Sequence, residues 1–510
     1  MQNLNLSKQL PRNLIINIFS FSSTLLIGLW LTPYLLKSLG IIAYGLIPLA
    51  MFFSQYISVI LNAINISINR FLIISLQKNQ DEEANQIFNT SLVVVFSFII
   101  FQFLIMSIVI FDINLFFNIP DALIFDAMWL FGLTFVGFSI SLVRAIFATS
   151  LFAYNRVDIL RIIDIFQNII RLLTIIILFV YDEPSLKYVG VANLLASLFV
   201  IFPTLYYFKI YTPQLKINLS FFNIKYLSKL SKMSLWVLIN QVGVLLLGNI
   251  DLYMVNNLIG IKATSEYAIV VQITSIFKTL LLLLSGILTP VIMIYYANGE
   301  FKKLNQFIII SSKVMVVGMI VPLAIIIGLS SQIINLWLGE EYIYLYSYIS
   351  FSLLYFTFVI PVIPLFNITV AYNKVKLPAI IALYLGAINI ISIYILVVYT
   401  NLELWGVISV KFILEFIFTF FIIIYVSKIL SLSFRKLFQT LGISLLSFII
   451  LSLILKIIIY FIDIDSFVKL LLLVMTLSII IYPTMIIFIF TKEEKRLLFD
   501  KYTILQRLFL

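Results

Sequence analysis

The chain has 510 residues, of which 63% are hydrophobic and 11% charged, with a formal net charge of +11. A soluble domain is near half apolar and a quarter charged, so this composition excludes a water-soluble globule and calls for a bilayer as solvent. There is no Cys and no His, which excludes disulfides, thiol chemistry and histidine-based catalysis or metal binding.

A membrane-spanning helix needs about 20 mostly apolar residues. In chain order such runs lie near 13–36, 41–67, 90–111, 124–150, 158–181, 188–208, 233–257, 265–293, 306–329, 344–370, 378–399, 404–427, 438–461 and 467–490. No cleavable signal peptide is expected, because Met1 to Gln9 is polar, no small-residue cleavage site follows, and the first apolar run is long enough to span. Apolar runs without alternation exclude a barrel, so the expected fold is an all-α membrane protein with about fourteen transmembrane helices. The Lys/Arg map orients them. With both termini in the cytoplasm, Lys8, Arg12, Arg70, Lys78, Arg156, Arg161, Lys209, Lys216, Lys225, Lys229, Lys232, Lys302, Lys303, Lys374, Lys376, Lys428, Arg435, Lys436 and the tail cations Lys492, Lys495, Arg496, Lys501 and Arg507 fall on the cytoplasmic side. The other side keeps only Lys37, Lys187, Lys262 and Lys469, and it collects the acids Asp112, Asp121, Asp182, Glu183, Glu340, Glu341, Asp463 and Asp465. The positive charge is thus topogenic, and nucleic acid is not an expected partner.

The chain also repeats itself. Ala153-Tyr154-Asn155-Arg156-Val157 returns 218 residues later as Ala371-Tyr372-Asn373-Lys374-Val375. Ile113-Asn114-Leu115 corresponds to Ile334-Asn335-Leu336, Val180-Tyr181 to Val398-Tyr399, and Gly190-Val191 to Gly406-Val407. Leu39-Gly40 with Tyr44 resembles Ile259-Gly260 with Tyr267. Six spans per repeat is an even number, so the halves insert in parallel, and an axis along the membrane normal places a cavity between them. The expected organisation is an N-terminal six-helix bundle over 1–212, a cytoplasmic amphipathic linker over 213–232 and a second six-helix bundle over 233–430. Two extra spans over 431–490 and a cytoplasmic amphipathic tail over 491–510 complete it. The tail has Leu497, Leu498 and Phe499 toward lipid.

Ionisable groups inside a span cost at least about 2.5 kcal/mol each, so they face a cavity or a partner. The candidates are Arg144, Asp164, Arg171, Asp251, Lys278, Lys313, Lys411, Glu415 and Lys456. Lys313 and Lys456 lie close enough to span ends to snorkel. Lys411 and Glu415, at i,i+4, can form a structural bridge or serve transport. Asp164 and Arg171 share one helix face and either bracket a polar pocket or brace two helices. Arg144 sits toward the cytoplasmic half of its helix, as an interfacial anchor or a cavity cation. Asp251, near Asn249 and Asn256, either binds a coupling cation or neutralises a neighbouring one. Two polar stripes occupy equivalent helices: Gln55, Ser58, Asn62, Asn65 and Asn69 in the first half, and Gln272, Ser275, Lys278 and Thr279 in the second. A single Asn is more often interhelical glue. Two related stripes fit the walls of one substrate cavity. Pro361 and Pro364 inside the tenth span, with Pro33, Pro48, Pro203, Pro290, Pro322 and Pro483 in or near others, mark bending points.

Several phrases carry a family resemblance. They are Tyr34-Leu35-Leu36-Lys37-Ser38-Leu39-Gly40 running to Tyr44-Gly45, Asn249-Ile250-Asp251 through Tyr267-Ala268, and Leu336-Trp337-Leu338-Gly339 with Glu341-Tyr342. With the length and the six-plus-six-plus-two plan, the chain resembles the Wzx-type polysaccharide flippases of the multidrug/oligosaccharidyl-lipid/polysaccharide exporter superfamily. The resemblance implies a non-enzymatic transporter in the bacterial plasma membrane. It implies that an undecaprenyl-diphosphate-linked oligosaccharide, for O-antigen or another polysaccharide, is moved from the inner to the outer face by alternating access. On that reading Lys278, Arg171, Arg144 and Lys411 attract the diphosphate, the Asn and Gln stripes bond sugar hydroxyls, and the last two spans hold the lipid tail. No resident cofactor is implied; coupling to membrane potential, H+ or Na+ stays open, and the partners are the lipid-linked substrate, the bilayer and other polysaccharide-assembly proteins. A multidrug cation antiporter of the same superfamily and a lipid II flippase are the alternatives. The antiporter is disfavoured because no acid lies between Arg12 and Lys37. The lipid II flippase is disfavoured because Lys37 and Arg70 only flank the first two spans. A glycan polymerase or acyltransferase would display a large external loop or intramembrane His, and the chain has neither.

Overall fold

The computed structural model describes residues 6–57, 59–248, 250–462 and 464–499, without the side chains of 6–11, 14, 57, 60–62, 229–234, 236, 237, 240, 290, 297 and 496–499. Readings that fall on Lys8, Ser58, Asn62, Lys229, Lys232, Asn249, Pro290, Asp463, Arg496, Leu497, Leu498, Phe499, Lys501 and Arg507 therefore lie outside the described residues or side chains. The described residues form helices and no strand, and they divide into two compact units, Met1–Ser265 and Glu266–Leu510.

The first unit holds α1 (Leu6–Tyr44), α2 (Leu46–Ile57), α3 (Val59–Gln77), α4 (Asp81–Phe111), α5 (Ile113–Phe116), α6 (Ile124–Ala153), α7 (Val157–Tyr181), α8 (Leu186–Tyr211), α9 (Ile224–Gly248) and α10 (Asp251–Leu258). It also contains the first turn of α11 (Ile261–Ala297), which continues into the second unit. The second unit adds α12 (Phe301–Gly328), α13 (Ser330–Leu338), α14 (Leu345–Leu354), α15 (Phe356–Val359), α16 (Ile363–Ala371), α17 (Lys376–Tyr399), α18 (Glu403–Leu430), α19 (Phe434–Phe461), α20 (Phe467–Ile489) and α21 (Lys492–Phe499).

Eleven helices among the described residues are long and apolar enough to cross a bilayer, and the bent run Leu345–Val359 plus Ile363–Ala371 makes a twelfth. The expected second and seventh spans are described as α2 with α3 and α9 with α10, on either side of residues 58 and 249, which lie outside the described residues. The tenth span bends by 46° where Pro361 and Pro364 deny the helix two backbone donors. Surface chemistry is that of a protein dissolved in lipid. On α20, Val468, Leu471, Leu472, Met475, Ile479 and Ile480 are exposed while Leu470, Leu473, Leu477 and Ile481 are buried, so the helix is apolar all round.

The repeat is visible in the backbone. Asn155 and Asn373 both take a left-handed conformation, with φ of 54° and 52°. The bonds around them match as well. Arg156 N–H donates to Leu151 C=O and Lys374 N–H to Thr369 C=O, closing α6 and α16 with the same cap. Asn is chosen because its short polar side chain tolerates this region better than other residues with a Cβ. The cores correspond too. In the first unit Ile87, Phe88, Leu142, Ile146 and Phe208 are buried together, and in the second Leu304, Ile308, Leu365, Ile368 and Val426.

The linker after α8 is bound rather than loose. Asn85 and Asn89, one turn apart on α4, grip its main chain on both sides. Asn85 Nδ2 donates to Gln214 C=O (3.0 Å) while its Oδ1 accepts from Lys216 N–H (2.7 Å). Asn89 Nδ2 donates to Lys216 C=O (2.8 Å) and its Oδ1 accepts from Asn218 N–H (2.8 Å). Alternate residues of an extended chain rise by roughly 6.6 Å, close to one helical turn, so each amide meets the next exposed peptide pair. With Asn85 and Asn89 both replaced by Ala, tryptic cleavage after Lys216 in the folded protein is expected to accelerate by about tenfold or more. An unchanged rate would mean that the segment is held by something else.

Lys313, expected to snorkel, is instead paired. Its Nζ lies 2.8 Å from both carboxylate oxygens of Glu494 on α21. Glu494 also completes a capping box with Thr491, whose N–H donates to Glu494 Oε2 (2.8 Å) while Thr491 Oγ1 accepts from Glu494 N–H (3.3 Å). Burial pushes the Glu494 carboxyl up, but the Lys313 ammonium and the Thr491 amide prevail and hold it below its usual range. A lowered folded-state pKa adds stability above the unfolded value, and that stability is lost as pH falls through the folded one. Hydrogen exchange in 492–495 is therefore expected to stay slow at neutral pH, after correction for the intrinsic rate, and to quicken below the ordinary glutamate range. Glu494→Gln should remove that pH dependence.

Candidate functional site: a polar cavity in the first unit

Polar residues at helical spacing on three helices converge within the first unit. On α7 these are Gln167, Asn168 and Arg171, on α8 Asn193 and Ser197, and on α6 Thr134 and Ser141; Gln55 closes the set from α2. They enclose a cavity of about 260 Å³, with Met51, Phe138 and Ala196 as its apolar lining. Gly137 lets α6 and α8 approach closely beside it, since a Cβ there would stand 3.1 Å from both Asn193 C=O and Ser197 Oγ. Asn193 Nδ2 donates to Thr134 Oγ1 at 3.2 Å and Ser197 Oγ to Asn193 C=O at 2.9 Å, which fixes the lining. A larger crevice of about 500 Å³, lined by Phe103, Met106, Phe125, Trp129 and Phe135, has no charged residue and offers no such chemistry.

Arg171 is the charged member of the cavity. Its Nη2 makes only a long bond, 3.5 Å, to Asn168 Oδ1, and its buried Nε has no hydrogen-bond partner among the described residues. No carboxylate pairs with it among the described residues. Asp164, on the same helix, is already engaged: Arg144 Nη2 lies 2.9 Å from its Oδ1 and Arg161 Nη1 3.2 Å from its Oδ2. Arg144 is further fixed by a 3.0 Å bond from Nε to Thr204 Oγ1 on α8. Arg144 and Asp164 thus brace α6 to α7, and Arg171 has no acidic counter-charge among the described residues. A guanidinium in that position offers a five-donor fork suited to acceptors such as an anion.

The other candidates are placed as follows. Gln55 reaches the cavity. Asn65 is buried against α6, where its Nδ2 lies 3.5 Å from Leu142 C=O and its Oδ1 has no partner among the described residues. Asn69 Oδ1 accepts from Thr149 Oγ1, also on α6. The first-half stripe therefore divides between cavity and helix packing. Asp251 is 1% exposed at the start of α10 and is engaged by its neighbours. Next to it Asn256 reads the backbone of Asn118, accepting from its N–H at 2.9 Å. In the second unit Lys278 and Ser275 are exposed on α11, and Gln272 is half-buried and engaged. Lys411 and Glu415 are half-buried on α18, and each has a partner. Gln167, Asn168, Asn193 and Ser197 escaped the sequence reading, although Asn193 and Ser197 at i,i+4 in an apolar helix carry the same signature as the stripes.

No protein-family profile matches the chain. Solved structures identify the fold. An inward-facing multidrug resistance MATE family transporter of the MOP superfamily superposes with a TM-score of 0.68 at 14% identity, covering 82% of this chain and 96% of the other. Lipid II flippase MurJ in an inward closed conformation gives a TM-score of 0.65 at 16% identity, over 92% and 97%. The chain is thus a multi-pass membrane protein with the fold of these two structures. In sequence it is similar to the uncharacterized membrane protein EpsK of Bacillus subtilis (strain 168), at 26% identity over 391 residues, 77% of each chain.

The geometry separates packing amides from cavity amides. Asn65→Leu is expected to leave the melting temperature unchanged or raised, since it removes an unsatisfied buried oxygen. Asn69→Leu should cost about 0.6 kcal/mol, the average for an interhelical side-chain hydrogen bond in membrane proteins. Thermal unfolding in detergent measures both, and a large loss for Asn65→Leu would contradict the assignment.

Proposed function

We propose that the protein is a flippase for a lipid-linked oligosaccharide carried on a diphosphate, with the anionic headgroup held by Arg171 in the polar cavity of the first unit. The observation that carries this reading is the Arg171 guanidinium, its Nε buried, with no acidic partner among the described residues and with amides and hydroxyls around it. Two phosphates supply the acceptors that Arg171 lacks, in the bidentate geometry a guanidinium favours. Gln55, Asn168, Asn193 and the neighbouring hydroxyls are suited to phosphate ester oxygens or sugar hydroxyls. The lipid tail needs no protein pocket, since the surrounding hydrocarbon solvates it. A cationic drug would be repelled by Arg171, which makes the multidrug reading the poorer fit. A lipid II flippase shares the diphosphate chemistry and differs in the glycan.

On this reading the protein is a transporter rather than an enzyme. It works by alternating access in the bacterial plasma membrane with both termini cytoplasmic, and its substrate is an undecaprenyl-diphosphate-linked repeat unit. Lys278, which the resemblance implied would attract the diphosphate, is exposed on α11 of the second unit. Coupling to the membrane potential or to H+ or Na+ drives the cycle, and other polysaccharide-assembly membrane proteins supply and remove the substrate.

In cells lacking their own flippase, with the matching glycan pathway supplied, Arg171→Gln is expected to lower periplasmic glycan at least about tenfold at equal expression. That is the scale of losing one charge-assisted contact. Arg171→Lys should retain part of the activity, because charge survives and the fork does not. Full activity of Arg171→Gln would remove the headgroup assignment. Drug efflux by the wild-type chain, lost on the same substitution, would favour the multidrug reading.

A further inference from the structure

Three helix ends of the second unit, on the side that the Lys/Arg map assigns to the outer face, bring carboxylates against aromatic rings. Glu266 lies in the second turn of α11, Tyr344 immediately before α14, and Glu403 and Trp405 in the first turn of α18. The Tyr344 hydroxyl donates to Glu266 Oε1 at 2.7 Å. Burial and the Glu266 carboxylate push the Tyr344 phenol well up, so it remains a donor at neutral pH. Tyr348, in the first turn of α14, packs its ring 4.8 Å from that of Trp405, and Phe351 meets the same indole in a T-shaped contact at 5.8 Å. The charges of both Glu266 and Glu403 reach Tyr348, so the two acids flank one aromatic cluster.

The fold alone does not call for this cluster. Gly406-Val407 corresponds in the repeat to Gly190-Val191, so Trp405 stands where the first unit has Val189, and Glu403 where it has Lys187. Val189 is 2% exposed, whereas Trp405 is 37% exposed and Tyr344 43%. A small buried residue has become a large accessible ring, and a cation has become an anion. Glu403 also takes a left-handed backbone, with φ of 42°, which a residue with a Cβ adopts at a cost, and such strain collects at binding sites. Ion pairs in the second unit engage Glu300, Asp465 and Glu494, and leave Glu266, Glu341 and Glu403 without a cation among the described residues. An aromatic anchor at the membrane interface needs a ring with a polar tip, but no flanking acids.

We propose that this cluster is a sugar-binding platform, a landing site on the outer face for one neutral pyranose of the glycan; it rests on the glycan-carrying part of the reading above and not on Arg171. A pyranose has a C–H face and a rim of hydroxyls. The C–H face is weakly positive and lies on the negative face of an aromatic ring, here Trp405. The hydroxyl rim donates to carboxylates in charge-assisted bonds, here to Glu403 and Glu266. A carboxylate accepts about four hydrogen bonds, so Glu266 keeps capacity beyond Tyr344. The same acids, with Glu341 nearby in sequence, repel a uronate or a phosphate. The platform therefore discriminates against acidic sugars and does not compete for the diphosphate.

The test is saturation-transfer NMR on the full chain in phosphatidylglycerol nanodiscs. Methyl β-glucoside, methyl β-galactoside and methyl N-acetyl-β-glucosaminide serve as neutral probes, methyl β-glucuronide as the acidic one and choline as the cationic one. At least one neutral probe is expected to bind saturably, at about 1–10 mM for so small a ligand, with the strongest transfer to its ring C–H protons. The glucuronide should bind at least about tenfold more weakly. Trp405→Val, which installs the residue of the first repeat, should weaken the neutral sugar about fivefold or more. Glu403→Gln should weaken it about threefold and narrow the gap to the glucuronide, and it carries the test if Trp405→Val does not fold. A ring that only anchors the helix predicts a lower melting temperature in Trp405→Val with sugar affinity unchanged, and that result overturns the platform. Equal binding of the glucuronide also overturns it, as does displacement of the sugar by choline, which would assign the cluster to cations. Because binding is read without transport, the absence of any saturable neutral-sugar signal overturns the platform and leaves the Arg171 assignment standing. Full export by Arg171→Gln would strike the headgroup reading and leave measured sugar binding in place.

Discussion

Inside a hydrocarbon layer an unpaired polar group has no water to fall back on, and that constraint orders most of what the structure does with its polar residues. Arg144, Arg161 and Asp164 satisfy one another, Lys313 is neutralised by Glu494, and Asn69 meets Thr149. Against that background Arg171 is conspicuous. A guanidinium with a buried Nε and no acid beside it among the described residues costs several kcal/mol in such a medium.

Most of the architecture was legible in the sequence, because it follows from length and polarity. Apolar runs located the helices, and the Tyr-Asn-Arg and Tyr-Asn-Lys phrases located two corners whose backbones match. The docking of the linker was not legible, because side-chain amides on α4 claim its peptide groups from far along the chain. The boundary between compact units also falls at Ser265, beyond the linker, because α9 packs along α3 and α4.

The site was legible only in part, for a physical reason. A sequence shows which residues share a helix face, and so Asp164 and Arg171 could be paired on paper. It does not show which neighbouring helix reaches that face first. Arg144 arrives from α6 and claims Asp164, which leaves Arg171 with no carboxylate among the described residues. Likewise Asn65 and Asn69 looked equivalent to Gln55 by periodicity, yet Gln55 lines the cavity while the two asparagines meet α6. Long-range pairing decides which polar groups remain for a ligand.

The clamp formed by Asn85 and Asn89 has an evolutionary side. It holds Gln214, Lys216 and Asn218 entirely through peptide groups, so it is indifferent to what their side chains are. Relatives can rewrite this stretch freely, exchanging its exposed Ile217 and Leu219 or its lysine, and still dock it in the same register. The one residue type barred from positions 216 and 218 is proline, which lacks the N–H that each asparagine oxygen must receive. Conserved α4 amides facing a hypervariable but proline-free segment would be the mark such a clamp leaves on a family.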